Sequence, residues 1–221
     1  MSKALVLLSG GIDSYTSAAI AATLGHELYA LTIDYSQRHR REIESAKIIA
    51  ASLKVKKHLI LNIDLRQIGG SALTSDMDMP QSMIKDIIPT TYVPARNTIF
   101  LSIALGWAEV IEAGDIYIGA TAIDYSGYPD CRPEYLKAFE DMANLATRIS
   151  IEGKLRFKIN APLINMSKGE IIKKGATELG LNYGLSWSCY DPTPNDTPCG
   201  KCDSCIYRAK GFKQAGIKDI P

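Results

Sequence analysis

The sequence predicts an α/β fold, in which a parallel, Rossmann-like sheet is flanked by helices and followed by a short cysteine-bearing segment. Short apolar runs alternate with longer stretches of helical periodicity, as in right-handed βαβ units. A glycine pair, Gly10-Gly11, joins the first apolar run to the first helical stretch, and four of the five cysteines lie close together near the C-terminal end. We therefore expect a single domain over residues 1–221, with an α/β core over 1–184 and a C-terminal segment over 185–221.

The first part of the chain predicts three strands and two helices. Each strand is a short apolar run bounded by turn residues, and each helix carries apolar residues three and four positions apart. The strands are Ala4–Leu8, Leu28–Asp34 and His58–Ile63, and the helices are Tyr15–Leu24 and Arg38–Leu53. Because parallel sheets bind ligands beyond the carboxyl ends of their strands, residues 9–14 and 34–38 should face one site.

A long loop separates these elements from the rest. Residues 69–94 are rich in Gly, Ser, Asp, Met and Pro, with one short helix predicted at Gln81–Asp86; loops of this length are usually lids or binding loops. Pro133 suits the first position of a helix, and Ser167 suits an N-cap. The remaining predicted elements are helices Asn97–Ala113, Pro133–Ile149 and Ser167–Leu179 and strands Asp115–Gly119 and Phe157–Ala161.

Charge and hydropathy exclude several classes of protein. The chain has 25 basic and 24 acidic residues, which creates no field to attract a polyanion, so we expect no direct nucleic-acid partner. No stretch approaches the ~20 apolar residues of a membrane span, and the first residues lack the long apolar core of a signal peptide. We therefore expect a cytoplasmic protein without a membrane partner.

The hexapeptide Ser9-Gly10-Gly11-Ile12-Asp13-Ser14 is the strongest motif. Glycines at a strand-to-helix turn let backbone N–H groups converge on an anion. The start of the helix adds unpaired N–H groups and the positive end of the helix dipole. No lysine occurs between Lys3 and Lys47, whereas the common ATPase loop needs one to reach the β- and γ-phosphates. The loop therefore predicts phosphate binding without γ-phosphoryl transfer.

This hexapeptide resembles the pyrophosphate loop of the ATP pyrophosphatases, which include the synthetase halves of GMP and asparagine synthetases and the tRNA-thiolating enzymes. The resemblance implies a fold of the adenine nucleotide alpha hydrolase type. It also implies that the loop holds the β- and γ-phosphates of ATP while a substrate oxygen attacks the α-phosphate, which yields an adenylate.

The C-terminal cysteines predict a metal site. Cys189, Cys199, Cys202 and Cys205 follow the pattern C-x9-C-x2-C-x2-C, which matches a closed tetrahedral Zn²⁺ site; an iron–sulfur cluster is the weaker alternative. Since four thiolates leave no position for water, the metal should be structural. Pro198 and the two cysteines after it also match half of the zinc-deaminase signature, but the H-x-E half is missing. A nucleic-acid-binding zinc ribbon is a further alternative that the local acidic residues disfavour.

Four more phrases occur in a fixed order with these two motifs. They are D-Y-S-Q-R-H at 34–39, P-A-R-N at 94–97, D-Y-S-G-Y-P-D-C-R-P-E at 124–134 and S-W-S-C-Y at 186–190. Together they make the chain similar, throughout its length, to the 7-cyano-7-deazaguanine synthase family. The resemblance implies conversion of 7-carboxy-7-deazaguanine and ammonia to the nitrile, with ATP leaving as AMP and pyrophosphate. It implies a homodimer too, and a product that serves the queuosine or archaeosine modification of tRNA.

The chemistry that this resemblance implies suggests roles for particular side chains. Asp13, Arg96 and Lys168 are the candidate catalytic residues, with Asp13 acting through Mg²⁺ and the two cations stabilising the α-phosphate or the leaving pyrophosphate. A surface salt bridge for Arg96 and a helix-start position for Lys168 remain alternatives. The predicted ATP-binding residues are Leu8, Ser9, Gly10, Gly11, Ile12, Asp13, Ser14, Asp34 and Arg38.

Substrate recognition is predicted from the guanine-like edge of the base. Its N1–H and 2-amino group suit a carboxylate, which Asp124 or Asp130 could supply, and Arg132 could meet the substrate carboxylate. A turn-capping role for either aspartate stays open. No carboxylate pair or histidine stands out as the general acid or base.

Two other functions compete with this interpretation. A tRNA sulfurtransferase on the same fold would need a basic surface and a persulfide cysteine; Cys131, the thiol outside the cluster, could carry sulfur or be a buried spectator. A non-catalytic ATP-sensing module would not need the dense polar residues of 125–134. A chain of 221 residues leaves no room for a glutaminase domain, so ammonia would be free or come from a partner.

Overall fold

A computed structural model of the chain describes residues 1–75, 88, 90–121 and 128–220. Five of its strands form one parallel sheet in the order β3-β2-β1-β4-β5. Ala4 of the central strand lies opposite Leu28 on one side and Asp115 on the other. The strands are β1 (Lys3–Leu7), β2 (Glu27–Asp34), β3 (Lys57–Asn62), β4 (Asp115–Tyr117) and β5 (Lys158–Asn160). The strand order reverses at β1, and a crevice for a ligand forms at such a switch point.

Helices cover both faces of the sheet, as the alternating side chains of a buried parallel strand require. Leu5 of β1 packs into the core with α3 and α4, whereas Ala4 and Val6 pack into the core with α1, α2, α6 and α7. The helices are α1 (Ile12–Thr23), α2 (Arg41–Ser52), α3 (Arg96–Ile111), α4 (Pro133–Ala146), α5 (Arg148–Ile151), α6 (Lys168–Thr177) and α7 (Asp203–Ala215). None of the helices in the described ranges has the length and hydrophobicity to cross a membrane.

The predicted α/β fold with a parallel sheet is confirmed, and most element bounds agree within a few residues. Pro133 is at the start of α4 as expected. Ser167 caps α6 in a capping box with Glu170, which satisfies two otherwise unpaired N–H groups. The predicted helix to Ile149 is instead split, because Thr147 adopts extended backbone angles.

Two predictions fall on residues that the structure does not describe: the short helix at 81–86 and the substrate residue Asp124. The division into a core and a C-terminal segment remains a prediction. Phe212 of α7 lies in the same apolar core as Ile171 of α6, so the two regions share packing.

Candidate active site and metal centre

A cavity of about 250 Å³ opens beyond the carboxyl ends of β1, β2 and β4. The loop after β1 forms its floor, and the starts of α2, α3 and α6 supply charged side chains. The C-terminal segment closes one side through Trp187, Ser188 and Tyr190. Of the predicted ATP-binding residues, six border this cavity: Leu8, Ser9, Gly11, Ile12, Asp13 and Ser14.

Serine side chains fix the shape of the loop between β1 and α1. The hydroxyl of Ser14 donates to the carbonyl oxygen of Gly11 at 3.1 Å, and the hydroxyl of Ser9 donates to Ser14 Oγ at 3.0 Å. The backbone N–H of Ser9 also donates to Ser14 Oγ. Since the first N–H groups of α1 have no partner within the helix, the loop presents donors to an anion.

Two glycines allow the closest backbone contacts of this loop. Gly10 has a φ of 90°, and a Cβ atom there would lie 2.1 Å from the carbonyl oxygen of Glu42 in α2. Gly119 follows β4, and a Cβ atom there would lie 2.7 Å from the backbone nitrogen of Ser14. The sequence analysis missed Gly119, although a glycine directly after a short buried strand is a signal of close approach.

Asp13 and Lys168 form an ion pair at the cavity. Asp13 lies in the first turn of α1 and Lys168 is the first residue of α6. The Nζ atom of Lys168 lies 2.6 and 2.5 Å from the two carboxylate oxygens of Asp13. The lysine side chain is only 10% exposed, so the charges meet where water screens them little. Lys168 is thus both a helix-start residue and a cavity cation.

Arg96 is the second cation of the cavity wall. It is the first residue of α3, directly after Ala95 in a left-handed conformation with a φ of 51°. Its guanidinium lies 5.7 Å from the centre of the Tyr35 ring, and its NH1 group donates to the Tyr35 hydroxyl at 3.4 Å. Among the described residues, Arg96 therefore contacts Tyr35 and does not form the surface salt bridge that was the alternative.

Glu42 is a cavity residue that the sequence analysis did not identify. It lies in the first turn of α2, and its Oε1 atom accepts a hydrogen bond of 2.8 Å from Gln37 Nε2. Burial raises the pKa of Glu42 to about 7, against the opposing effects of Arg96 and of the bond from Gln37. Its place in the cavity depends on the phosphate loop and on α3, which are distant from it in the sequence.

Five of the predicted ATP- and substrate-binding residues that the structure describes do not border the cavity: Gly10, Asp34, Arg38, Asp130 and Arg132. Asp34 pairs with Arg40 at 2.9 Å. The carboxylate of Asp130 accepts the backbone N–H of Asn97 at 2.9 Å, which is a helix-capping contact at the start of α3. The side chain of Arg132 is exposed and precedes α4. Their ATP- and substrate-binding roles remain predictions.

Cys131 borders the cavity as a buried thiol. Burial raises the pKa of Cys131 to about 11, and Asp130 acts in the same direction. The Nδ2 group of Asn97 donates to its sulfur at 3.1 Å. Because the thiolate is the reactive form, a thiol with a raised pKa is a poor nucleophile at neutral pH.

The four clustered cysteines come together as one group. The Sγ atoms of Cys189, Cys199, Cys202 and Cys205 all lie within 4.8 Å of one another. A tetrahedral metal with bonds of about 2.3 Å places its sulfurs about 3.8 Å apart, close to the 4.0 Å between Cys199 and Cys205. The N–H groups of Cys199 and Cys202 donate to Cys189 Sγ and Cys199 Sγ, as outer-shell donors to metal-bound thiolates do. The cluster could therefore hold a metal ion.

With this site described, comparisons with known proteins give the family. Residues 3–216 match the family described as "Queuosine biosynthesis protein QueC". The chain belongs to the QueC family. This confirms the resemblance that the sequence motifs predicted.

QueC relatives match over nearly the whole chain. The 7-cyano-7-deazaguanine synthase of Syntrophus aciditrophicus (strain SB) is 58% identical, covering 98% of this chain and 95% of that protein. The protein of the same name from Geotalea daltonii is 59% identical over 98% of this chain and 94% of its own length. Among solved structures, NMN synthetase from Francisella tularensis aligns with a TM-score of 0.52 at 16% identity, covering 99% and 79% of the two chains. That likeness supports the fold alone.

Proposed function

We propose that this chain is an ATP-dependent carbon–nitrogen ligase that converts 7-carboxy-7-deazaguanine and ammonia to 7-cyano-7-deazaguanine, releasing AMP and pyrophosphate. The observation that carries the proposal is the cavity itself, in which a lysine-free phosphate loop lies beside Arg96 and Lys168. Relatives that are 58% and 59% identical over nearly the full length bear the name of this activity. The product would supply queuosine biosynthesis, and a role in archaeosine biosynthesis is part of the same proposal.

The proposed chemistry needs two adenylations at one loop. A carboxylate resists ammonia because its leaving group would be oxide, and adenylation replaces oxide with AMP. Ammonia then gives an amide, whose oxygen is adenylated in turn, and loss of AMP leaves the nitrile. Each step concentrates charge on phosphates, which the N–H groups of residues 9–14 and two cations would stabilise.

Metal ions are part of the proposal in two places. Mg²⁺ commonly binds through one carboxylate and the phosphates of its substrate, so Asp13 is the residue that would hold it, and it would offset phosphate charge. The four-cysteine cluster would hold one structural Zn²⁺, because its sulfur donors and their spacing fit a closed tetrahedral site.

The remaining assignments concern substrates and partners. Asp34 and Arg38 are proposed for ATP, and Asp124, Asp130 and Arg132 for the base and its carboxylate. We also propose that the enzyme is a cytoplasmic homodimer that takes small-molecule substrates and no nucleic acid. The chemistry of a guanine-like edge, which offers paired donors to a carboxylate, supports the substrate residues.

Mass spectrometry of the products tests the proposed function. The purified protein is incubated with ATP, Mg²⁺, ammonium and 7-carboxy-7-deazaguanine, beside a control without the base. The expected result is AMP and the nitrile in the presence of the base and neither in its absence. If AMP forms only when tRNA and a sulfur donor are added, the result would instead indicate a tRNA sulfurtransferase.

A further inference from the structure

We propose that the carboxylate of Glu42 is the general base that removes N–H protons as the amide forms and as the nitrile forms. This inference rests on the proposed function and names a residue for its proton transfers. It gives a role to a partly buried acid that has no part in the phosphate loop, the two cations or the metal cluster.

The position of Glu42 places it beside the reacting groups. The first turn of α2 packs directly on the phosphate loop. A Cβ atom at residue 10 would lie 2.1 Å from the carbonyl oxygen of Glu42, so only glycine fits there. The Glu42 side chain borders the same cavity as Ser9, Gly11 and Arg96. A nucleotide whose pyrophosphate lies on the loop would hold its α-phosphate within that cavity, and the carbon under attack is one oxygen away from it.

The other acids and bases of the cavity are committed or unsuited. Among the described residues that border it, Asp13 and Glu42 are the carboxylates and none is a histidine. Both oxygens of Asp13 are engaged by Lys168. Cys131 and Tyr35 have pKa values raised by burial to about 11 and about 12, so both stay protonated near neutrality.

Groups from several elements set the charge of Glu42. Arg96 from α3 and the hydrogen bond from Gln37 favour the carboxylate, while burial and Asp34 at the end of β2 favour the acid. The phenols of Tyr35 and Tyr190 also face it. With a pKa near 7 the group can take a proton and return it to water at neutral pH, which is the requirement for a general base.

Both steps release protons from nitrogen. In the first, the nitrogen of ammonia bonds to the acyl carbon, the bond from that carbon to the AMP oxygen breaks, and Glu42 accepts the proton that the nitrogen loses. In the second, the amide oxygen displaces pyrophosphate from ATP. The nitrogen then loses two protons, one as the imidate forms and one as AMP departs with the amide oxygen and the nitrile forms. Glu42 releases each proton to water.

The test uses the 7-amide of the base as substrate, because its dehydration needs no ammonia and avoids the titration of ammonium. For the wild-type chain, kcat/KM for the amide should rise with pH through about 7, since the carboxylate is the active form. In Glu42→Gln that rise should disappear, and the rate should fall by about 10²- to 10⁴-fold. ATP–pyrophosphate exchange with 7-carboxy-7-deazaguanine and no ammonia should change less than about threefold, because this step moves no N–H proton.

Glu44→Gln is the matched control, because Glu44 is an exposed acid of the same helix that pairs with Lys47; it should keep the wild-type profile. Glu42→Asp should keep the pH-dependent rise at a reduced rate. Equal losses of exchange and dehydration in Glu42→Gln would mean a structural role and overturn the inference, as would an unchanged profile. A wild-type chain that makes no nitrile from either substrate would instead overturn the proposed function.

Discussion

The backbone N–H of Trp187 donates a 2.9 Å hydrogen bond to the carbonyl oxygen of Gly10. The indole Nε1 of the same residue donates to the carbonyl oxygen of Cys189 at 3.0 Å. The guanidinium of Arg41 lies 5.6 Å from the centre of the Trp187 ring. Trp187 thus links the cysteine cluster to the phosphate loop and to the start of α2. We therefore expect that a loss of structure in the cluster disturbs the nucleotide site.

Cys202→Ser should therefore lower metal content, stability and ATP affinity together. Losing one thiolate removes a ligand from a closed site, and metal binding contributes to folding free energy. We expect a fall in Tm of about 5–15 °C, equivalent to a few kcal/mol in a chain of this size, and weaker ATP binding by calorimetry. Cys131→Ser is the control for metal content, since that thiol lies outside the cluster. Full metal occupancy with unchanged unfolding would refute a structural metal.

Lys168→Met should lower catalysis strongly, and it should also lower Tm, because Asp13 loses its partner in a largely buried ion pair. Methionine preserves the packed stem beside Gly211, whose Cβ would lie 2.4 Å from Lys168 Cγ, but removes the ammonium at the cavity. Because preorganised charges stabilise a developing anion, we expect kcat for base-dependent AMP release to fall about 10²- to 10³-fold. Lys174→Met removes a solvent-facing ion pair of the same helix and should leave kcat unchanged. Similar kcat values for both variants would show that Lys168 has no catalytic role.

Gly119→Ala should disturb the phosphate loop through a steric clash, because φ at residue 119 lies outside the left-handed region and alanine can adopt it. The added methyl would meet the backbone nitrogen of Ser14 at 2.7 Å, so the start of α1 must move away from β4. We expect weaker ATP binding and a lower Tm. Gly106→Ala is the matched control, because nothing lies within 4 Å of its Cβ position in α3, and alanine in a helix gains up to about 1 kcal/mol. Opposite changes in Tm would support the contact, and equal changes would count against it.

Arg208→Met should destabilise the C-terminal segment. The guanidinium is 7% exposed and donates to Asp219, Ser186 and Tyr183. Removing one partner of a buried ion pair costs about 3–5 kcal/mol, so Tm measured by calorimetry should fall by about 10 °C. Arg148→Met breaks an exposed pair with Glu152 and should barely change Tm. Equal effects of the two substitutions would contradict this prediction.

Much of the fold could be predicted from local signals in the sequence. The alternation of strands and helices, Pro133 and the Ser167 cap depend on neighbours within a few residues, and these predictions are confirmed. The sequence does not predict helix α7, because Cys205 and Gly211 interrupt its apolar stripe and the segment has the pattern of a metal site.

The candidate site was harder to predict because its contacts span the chain. Burial raises the pKa of Glu42 against the opposing effect of Arg96, which lies in a distant helix. Gly119 gains its importance from a helix start over a hundred residues earlier. Asp130 is predicted as a ligand for a guanine edge, and its carboxylate also accepts the backbone N–H of Asn97 at the start of α3. A polar residue in a loop has several partners available, and only the tertiary structure decides between them.

The link between Trp187 and Gly10 has a consequence for how the protein is made. The phosphate loop is synthesised long before Arg208 of α7, which is part of the wall that closes its cavity. A nascent chain therefore cannot complete the nucleotide site until α7 has left the ribosome. Contacts of such long sequence separation slow folding, so early fragments would expose the parallel sheet and an unfinished cavity to chaperones.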